Sequence, residues 1–136
     1  MSWDRHHTDS ERLAQAAQAD TDEQGARALY RRAAEAEERA LIALDPAKSR
    51  TRGITAVSAM SLWLKSAEYG TVRARGNEFL LDESLPHFAR VQIRELVEAA
   101  EAAGGAQQQF EVDLTFPRRC GTQSARRTGR PPNSRR

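Results

Sequence analysis

Gly53 to Leu64 reads GITAVSAMSLWL and is the longest stretch of the chain without a charged residue. Because the rest of the chain is rich in Arg and Glu, a helix here would be unusual in being apolar or small on nearly every face. Such a helix is stable only when other elements cover it on nearly every side. The sequence therefore predicts a central buried helix, from about Pro46 to about Ala67, around which the other elements pack.

Further helices are predicted on both sides of this stretch from helix-forming residues and apolar spacings of three and four. We expect them over about 11–19, 23–44, 70–81 and 86–103. Asp45-Pro46 separates the second helix from the central one, and Gly104-Gly105 is expected to end the fifth. Residues 1–8 are expected to be a flexible lead-in to a helical domain over 9–103.

The C-terminal part, residues 104–136, is interpreted as a linker and a tail. Phe110 to Phe116 alternates apolar and polar residues, which predicts a single strand. That strand either pairs with another molecule, lies extended across the helices or is disordered. From Pro117 onward there are seven arginines and no acidic residue, so residues 1–116 hold fourteen basic against nineteen acidic side chains. A tail of this composition cannot bury apolar surface, and we expect it to be disordered.

Size and composition exclude several classes of protein. A chain of 136 residues is long enough for one domain, and its single cysteine, Cys120, cannot form an intrachain disulfide or a cysteine-based metal cluster. The central run is shorter than the roughly 20 apolar residues of a membrane span. The charged N-terminus does not resemble a secretory signal, so a cytoplasmic location is expected.

No arrangement of catalytic residues is evident, and we expect neither enzymatic activity nor a cofactor. There is no Gly-rich phosphate loop and no His-Glu-x-x-His motif. His6 and His7 would point about 100° apart on a helix and have no third ligand at a useful spacing, so no metal site is predicted. Glu35, Glu37 and Glu38 favour a solvated helix face over an acid–base pair.

The central helix and the next one carry a pattern of small and large residues. Ala56, Ala59, Met60 and Trp63 share one side, Ala67-Glu68-Tyr69 follows as a turn, and Pro86 comes after the next helix. This pattern, over about 22–86, resembles the tetratricopeptide repeat, a pair of antiparallel helices in a unit of about 34 residues. In that family the turn reads Gly-Asp-Tyr. The resemblance implies an all-α protein of about five antiparallel helices stacked as hairpins.

The resemblance also implies a non-enzymatic protein–protein interaction module whose partner is another, unidentified protein; a homo-oligomer is left open. Trp63 either anchors the core, which the small residues around it favour, or faces a binding groove. The nearby arginines are either solvated or line a rim that receives acidic groups. The predicted contact set is Arg50, Arg52, Trp63, Arg73 and Arg75.

The alternative function is that of a nucleic-acid-associated accessory protein. The basic tail would then bind phosphates without sequence preference and in a salt-sensitive way. Its arginines are Arg118, Arg119, Arg126, Arg127, Arg130, Arg135 and Arg136. No aromatic residue lies among them, so base stacking is not predicted. The abrupt change of composition after Phe116 also fits a segment that carries no function.

Overall fold

The computed structural model describes the backbone of residues 2–115 and the side chains of residues 2–105. Five α-helices follow one another, and no strand occurs within this range. They are α1 (Trp3–Ala19), α2 (Glu23–Ala43), α3 (Ser49–Lys65), α4 (Tyr69–Leu80) and α5 (His87–Thr115). The predicted all-α fold of about five helices is confirmed. Met1–Glu101 forms one compact unit of the chain, and a second unit begins at Ala102.

The core of the first unit is built around α3. Helix α2 packs against both α1 and α3, and α4 packs against α3. Short loops join these helices, so consecutive helices run antiparallel. Met60 of α3 and Val72 of α4 are fully buried, as is Ile93 of α5. Further buried apolar side chains of α5 follow the helical repeat: Ala89, Val97 and Ala100.

Two glycines allow α3 and α4 to approach α5 closely. A Cβ atom on Gly53 would lie 2.7 Å from Cγ of Pro86 and 3.1 Å from Cβ of Ala89. A Cβ atom on Gly76 would overlap Cγ2 of Val97. Gly76 therefore marks a close helix crossing, because only a residue without a side chain fits between the two helices.

The turn between α3 and α4 has the hydrogen bonds of a Schellman motif. The backbone N–H of Glu68 donates to the carbonyl of Trp63, and the N–H of Ala67 donates to that of Leu64. In this motif, the residue just after the C-cap of the helix has a left-handed backbone conformation and is usually glycine. Here it is Ala67, with φ 63°. A non-glycine residue in this conformation carries local strain.

The prediction of a flexible lead-in over 1–8 is wrong, because α1 already begins at Trp3. The hydroxyl of Ser2 accepts a hydrogen bond from the backbone N–H of Arg5 and caps the helix. The buried side of α1 is His6, Ser10, Leu13 and Ala17. These residues are spaced as one helical stripe, but its first half is polar, which hides it from a search for apolar periodicity.

Two predicted helix boundaries are also corrected. Helix α3 begins at Ser49, not at Pro46, because the side chain of Asp45 accepts from the N–H of Ala47 and holds a turn there. Helix α5 does not end at Gly104-Gly105; neither glycine has a positive φ, and the helical backbone continues to Thr115.

The predicted strand over 110–116 is accordingly wrong for residues 110–115, which are helical. The alternation of apolar and polar residues is too short to outweigh the continuation of a helix already formed. Phe116 and the predicted disorder and phosphate binding of residues 117–136 lie outside the described residues.

Candidate interaction surface

A strip along α3 stays open to solvent, although the sequence predicted that this helix would be covered on nearly every side. Gly53 lies against Pro86 at the start of α5, while the hydroxyl of Thr55 accepts a hydrogen bond of 3.0 Å from Nε1 of Trp3 on α1. The directions of residues 53 and 55 differ by about 200° around the axis of α3, and Ile54 points between them. Ile54 is 49% exposed. No side chain of residues 2–105 therefore fills the space between α1 and α5 over this part of α3.

We define the α3 strip as the solvent-facing positions that repeat at spacings of three and four along this helix. They are Arg50, Ile54, Ser58, Ser61 and Lys65. Arg50, Ile54 and Lys65 are exposed, and the two serines are half-buried. Val57 borders the strip and is also half-buried. The strip thus has an uncharged centre with small side chains and one cation near each end.

The two cations of the strip rest against aromatic rings. The guanidinium of Arg50 lies 5.9 Å from the ring centre of Phe88 on α5, and the ammonium of Lys65 lies 5.7 Å from that of Tyr30 on α2. Cation–π contacts hold both charges in place without neutralising them. Neither cation has a carboxylate within 4.0 Å among the side chains of residues 2–105.

The predicted contact residue Arg52 points away from the α3 strip. Its Nη2 lies 3.1 Å from Oδ2 of Asp82, and its side chain is 18% exposed. The hydroxyl of Ser84 donates to Oδ1 of Asp82 at 2.6 Å. This hydrogen bond, with smaller contributions from the Ser84 backbone and Arg52, holds the pKa of Asp82 below its ordinary value. Arg52 therefore links α3 to the α4–α5 turn.

Trp63 and Arg75 meet at one carboxylate of α2. Trp63 is 5% exposed and lies in the core, as the sequence favoured, so it does not face a groove. Oε2 of Glu38 accepts from Nε1 of Trp63 at 2.9 Å and from Nε of Arg75 at 2.8 Å. The hydrogen bond and negative charge of Glu38 hold the pKa of Arg75 above its usual value. Both residues join helices of the core.

The predicted contact set is therefore not brought together as one groove. Trp63 is internal, whereas Arg52 and Arg75 are ion-paired to carboxylates of different elements. Arg73 is exposed on α4. Of the five residues, Arg50 is the one on the α3 strip. Ile54 and Lys65 were missed, although their spacing from Arg50 was the available signal, because the uncharged helix was expected to be covered on nearly every side.

A buried polar cluster between α1 and α2 was not predicted. Glu37, expected to be solvated, has a side chain that is 1% exposed. Nδ1 of His7 lies 3.0 Å from Oε1 of Glu37, and Nε2 of the same ring lies 2.7 Å from Oε2 of Glu11. Trp3 stacks on this imidazole with ring centres 4.7 Å apart. A contact of this kind satisfies a buried carboxylate and holds α1 in place.

Two surface depressions are also present among the described residues. One, of about 360 Å³, lies at the α3–α4 turn and includes Arg27 and Arg31. Both arginines already face glutamates, Glu23 at 2.7 Å and Glu68 at 3.7 Å. The other, of about 260 Å³, lies between the start of α1 and the α2–α3 loop.

The described residues contain neither a metal-binding cluster nor a membrane-spanning helix. No group of three or more His, Cys, Asp or Glu side chains could hold a metal ion there. None of the helices in this part of the chain combines the length and the apolar character needed to cross a membrane.

Comparison with known proteins gives no match to this chain among protein-family models, curated proteins or solved structures.

Proposed function

We propose that the chain is a non-enzymatic protein–protein interaction module of tetratricopeptide-like type and that the α3 strip is its contact surface. The observation that carries this proposal is the open, uncharged centre of α3. Ile54 is 49% exposed in a stretch with no charged residue between Gly53 and Leu64. Ile42 and Leu81 are more exposed than Ile54, but Ile54 is the one that lies in an uncharged strip with a cation near each end.

The resemblance to tetratricopeptide repeats supports the same function. Ala67 stands where the family's turn has glycine, and it adopts the left-handed backbone that this position demands. Consecutive antiparallel helices with small residues at their crossings agree with hairpin stacking. Scaffolds of this kind bind other proteins on the surface formed by neighbouring helices.

Site-specific photo-cross-linking tests this proposal. A photoreactive amino acid is placed at Ile54 in the full chain and, as a matched control, at Asn77, which is exposed on α4. In extracts of the source cells we expect one defined cross-linked protein from position 54 and none from position 77. Unlabelled wild-type chain should compete for this product, whereas an Ile54→Asp variant should not. Equal cross-linking from both positions would contradict the proposal.

A second candidate is favoured by the charge distribution. Residues 117–136 carry seven arginines and no acidic side chain. If this segment binds nucleic acid through about seven phosphates, affinity should fall about a thousandfold or more between roughly 50 and 200 mM salt. Deleting 117–136 should then abolish binding in a filter assay but leave the cross-link at position 54 unchanged. A flat salt response would remove the nucleic-acid candidate.

A further inference from the structure

We propose that the α3 strip binds one helix of the partner protein, and that this helix is apolar or small at its centre and acidic at both ends. The inference rests on the proposed function and adds the chemistry of the partner. Arg50 and Lys65 mark the two ends of the strip, and Ile54, Ser58 and Ser61 form its centre. Each part of this pattern requires a different feature of the partner.

The centre of the strip fits a helix better than an extended segment. Ile54, Ser58 and Ser61 form a row inclined only slightly to the α3 axis, and a second helix can pack along such a row. The serine side chains are short, so the two helix axes can come close. Ile54 projects from the row and would lie against apolar or small residues of the partner. Strand addition by an extended segment would need an unpaired sheet edge, and no strand occurs among residues 2–115.

The ends of the strip require acidic groups. From the rise of 1.5 Å per residue, Arg50 and Lys65 are separated by about 22 Å along the helix axis, or about four turns. Both side chains are exposed, and Phe88 and Tyr30 hold their charged groups in place. A partner helix running along α3 with a carboxylate near each end would pair with both cations. Its acidic residues should therefore be about four turns apart.

A second α3 strip, from another copy of this chain, does not meet these requirements. If two α3 strips packed antiparallel, Arg50 of one copy would face Lys65 of the other. If they packed parallel, each cation would face its own equivalent. Both arrangements place like charges together, which penalises self-association and favours a partner of opposite charge.

The test uses two synthetic helical peptides and the full chain. Both peptides have the same ridge of Leu and Ala at the centre; one carries two Glu at each end and the other two Lys at each end. Binding to the wild type and to a double variant, Arg50→Glu with Lys65→Glu, is measured by fluorescence anisotropy. We expect the wild type to bind the Glu-ended peptide at least tenfold more tightly than the Lys-ended one. The double variant should show the reverse preference.

Two controls separate the strip from general charge effects. The arginine-rich residues 117–136 also attract an acidic peptide, but they are identical in the wild type and the double variant. A matched variant, Arg32→Glu with Arg39→Glu, changes the net charge equally on α2 and leaves the strip intact. It should retain the preference for the Glu-ended peptide. A third peptide has the same composition with its glutamates at the centre, and it should bind at least tenfold more weakly than the Glu-ended peptide.

The inference is overturned if the wild type does not distinguish the Glu-ended from the Lys-ended peptide. It is also overturned if the matched α2 variant loses the preference as completely as the strip variant. If cross-linking at Ile54 identifies a partner but the peptides are not distinguished, the interaction function stands and the acidic helix is refuted. If position 54 also gives no partner, both proposals fall.

Discussion

Replacing Gly76 by alanine adds one methyl group at the point where α4 meets α3 and α5. The new Cβ atom would overlap Cγ2 of Val97 and lie 3.0 Å from Cε of Met60. The end of a methionine side chain can move, but the β-branched side chain of Val97 is stiff. Overpacking of this kind costs about 1–3 kcal/mol. Replacing glycine by alanine inside a helix by itself raises the free energy of unfolding by about 0.8–1 kcal/mol. We therefore expect Gly76→Ala to lower the free energy of unfolding by up to about 2 kcal/mol.

The same helix provides a matched control. Among the described residues, a Cβ atom on Gly70 would have no neighbour within 4 Å, so Gly70→Ala should gain helix propensity without a clash. We expect it to raise the free energy of unfolding by up to about 1 kcal/mol. Urea denaturation followed by far-ultraviolet circular dichroism measures both variants, with unchanged m-values showing that the compared states are the same. The two substitutions should have opposite signs.

The packing argument would be refuted if Gly76→Ala stabilised the protein as much as Gly70→Ala. A double-mutant cycle with Val97→Ala identifies the clashing partner. Val97→Ala alone should be destabilising because it leaves a cavity. When it is combined with Gly76→Ala its cost should be smaller, since the added methyl group occupies part of that cavity. Strict additivity would show that Val97 does not resist the new side chain.

Three further predictions concern the turn after α3, the buried carboxylate and the α4–α5 turn. Ala67→Gly should raise the free energy of unfolding by about 0.5–1 kcal/mol, because glycine adopts the observed φ of 63° without strain. His7→Ala should lower it by about 2 kcal/mol, because it leaves the buried carboxylate of Glu37 without its partner. Asp82→Asn should destabilise the protein at neutral pH. The pKa of Asp82 in the folded protein is lower than its ordinary value near 3.8. The difference in stability from the wild type should therefore disappear as the pH falls through this lowered pKa.

Each of these predictions has its own check. For Ala67, substitution by valine should have the opposite effect to glycine, and equal stability of all three forms would remove the strain argument. For His7, adding Glu37→Gln should recover part of the lost stability by removing the buried charge. If the double variant is as unstable as His7→Ala alone, the loss does not come from the unpaired carboxylate of Glu37. For Asp82, unfolding is measured between about pH 2 and pH 7. The sign follows from the lowered pKa, because the folded state favours the ionised carboxylate. If the difference in stability between Asp82→Asn and the wild type does not change over this pH range, the argument from the lowered pKa is refuted.

Much of the candidate surface could have been read from the sequence, but its exposure could not. The spacing of Arg50, Ile54 and Lys65 along α3 is a property of the sequence. Whether a neighbouring helix covers Ile54 depends on where α1 and α5 lie, and this is fixed by contacts between distant residues such as Trp3 with Thr55. Ile54 was therefore mistaken for a buried residue. Arg52 was likewise placed on a groove because its partner Asp82 is thirty residues away.

The sequence by itself determined the helical class, the central position of the uncharged stretch and the close crossing at Gly76. These properties depend on local propensity and on the spacing of apolar and small residues along one helix. Only the tertiary structure decided which polar residues are internal and which part of α3 remains open. Glu37 looks like a surface carboxylate until α1 brings His7 beside it. Burial of this kind is a relation between elements far apart in the chain, so no local pattern of residues encodes it.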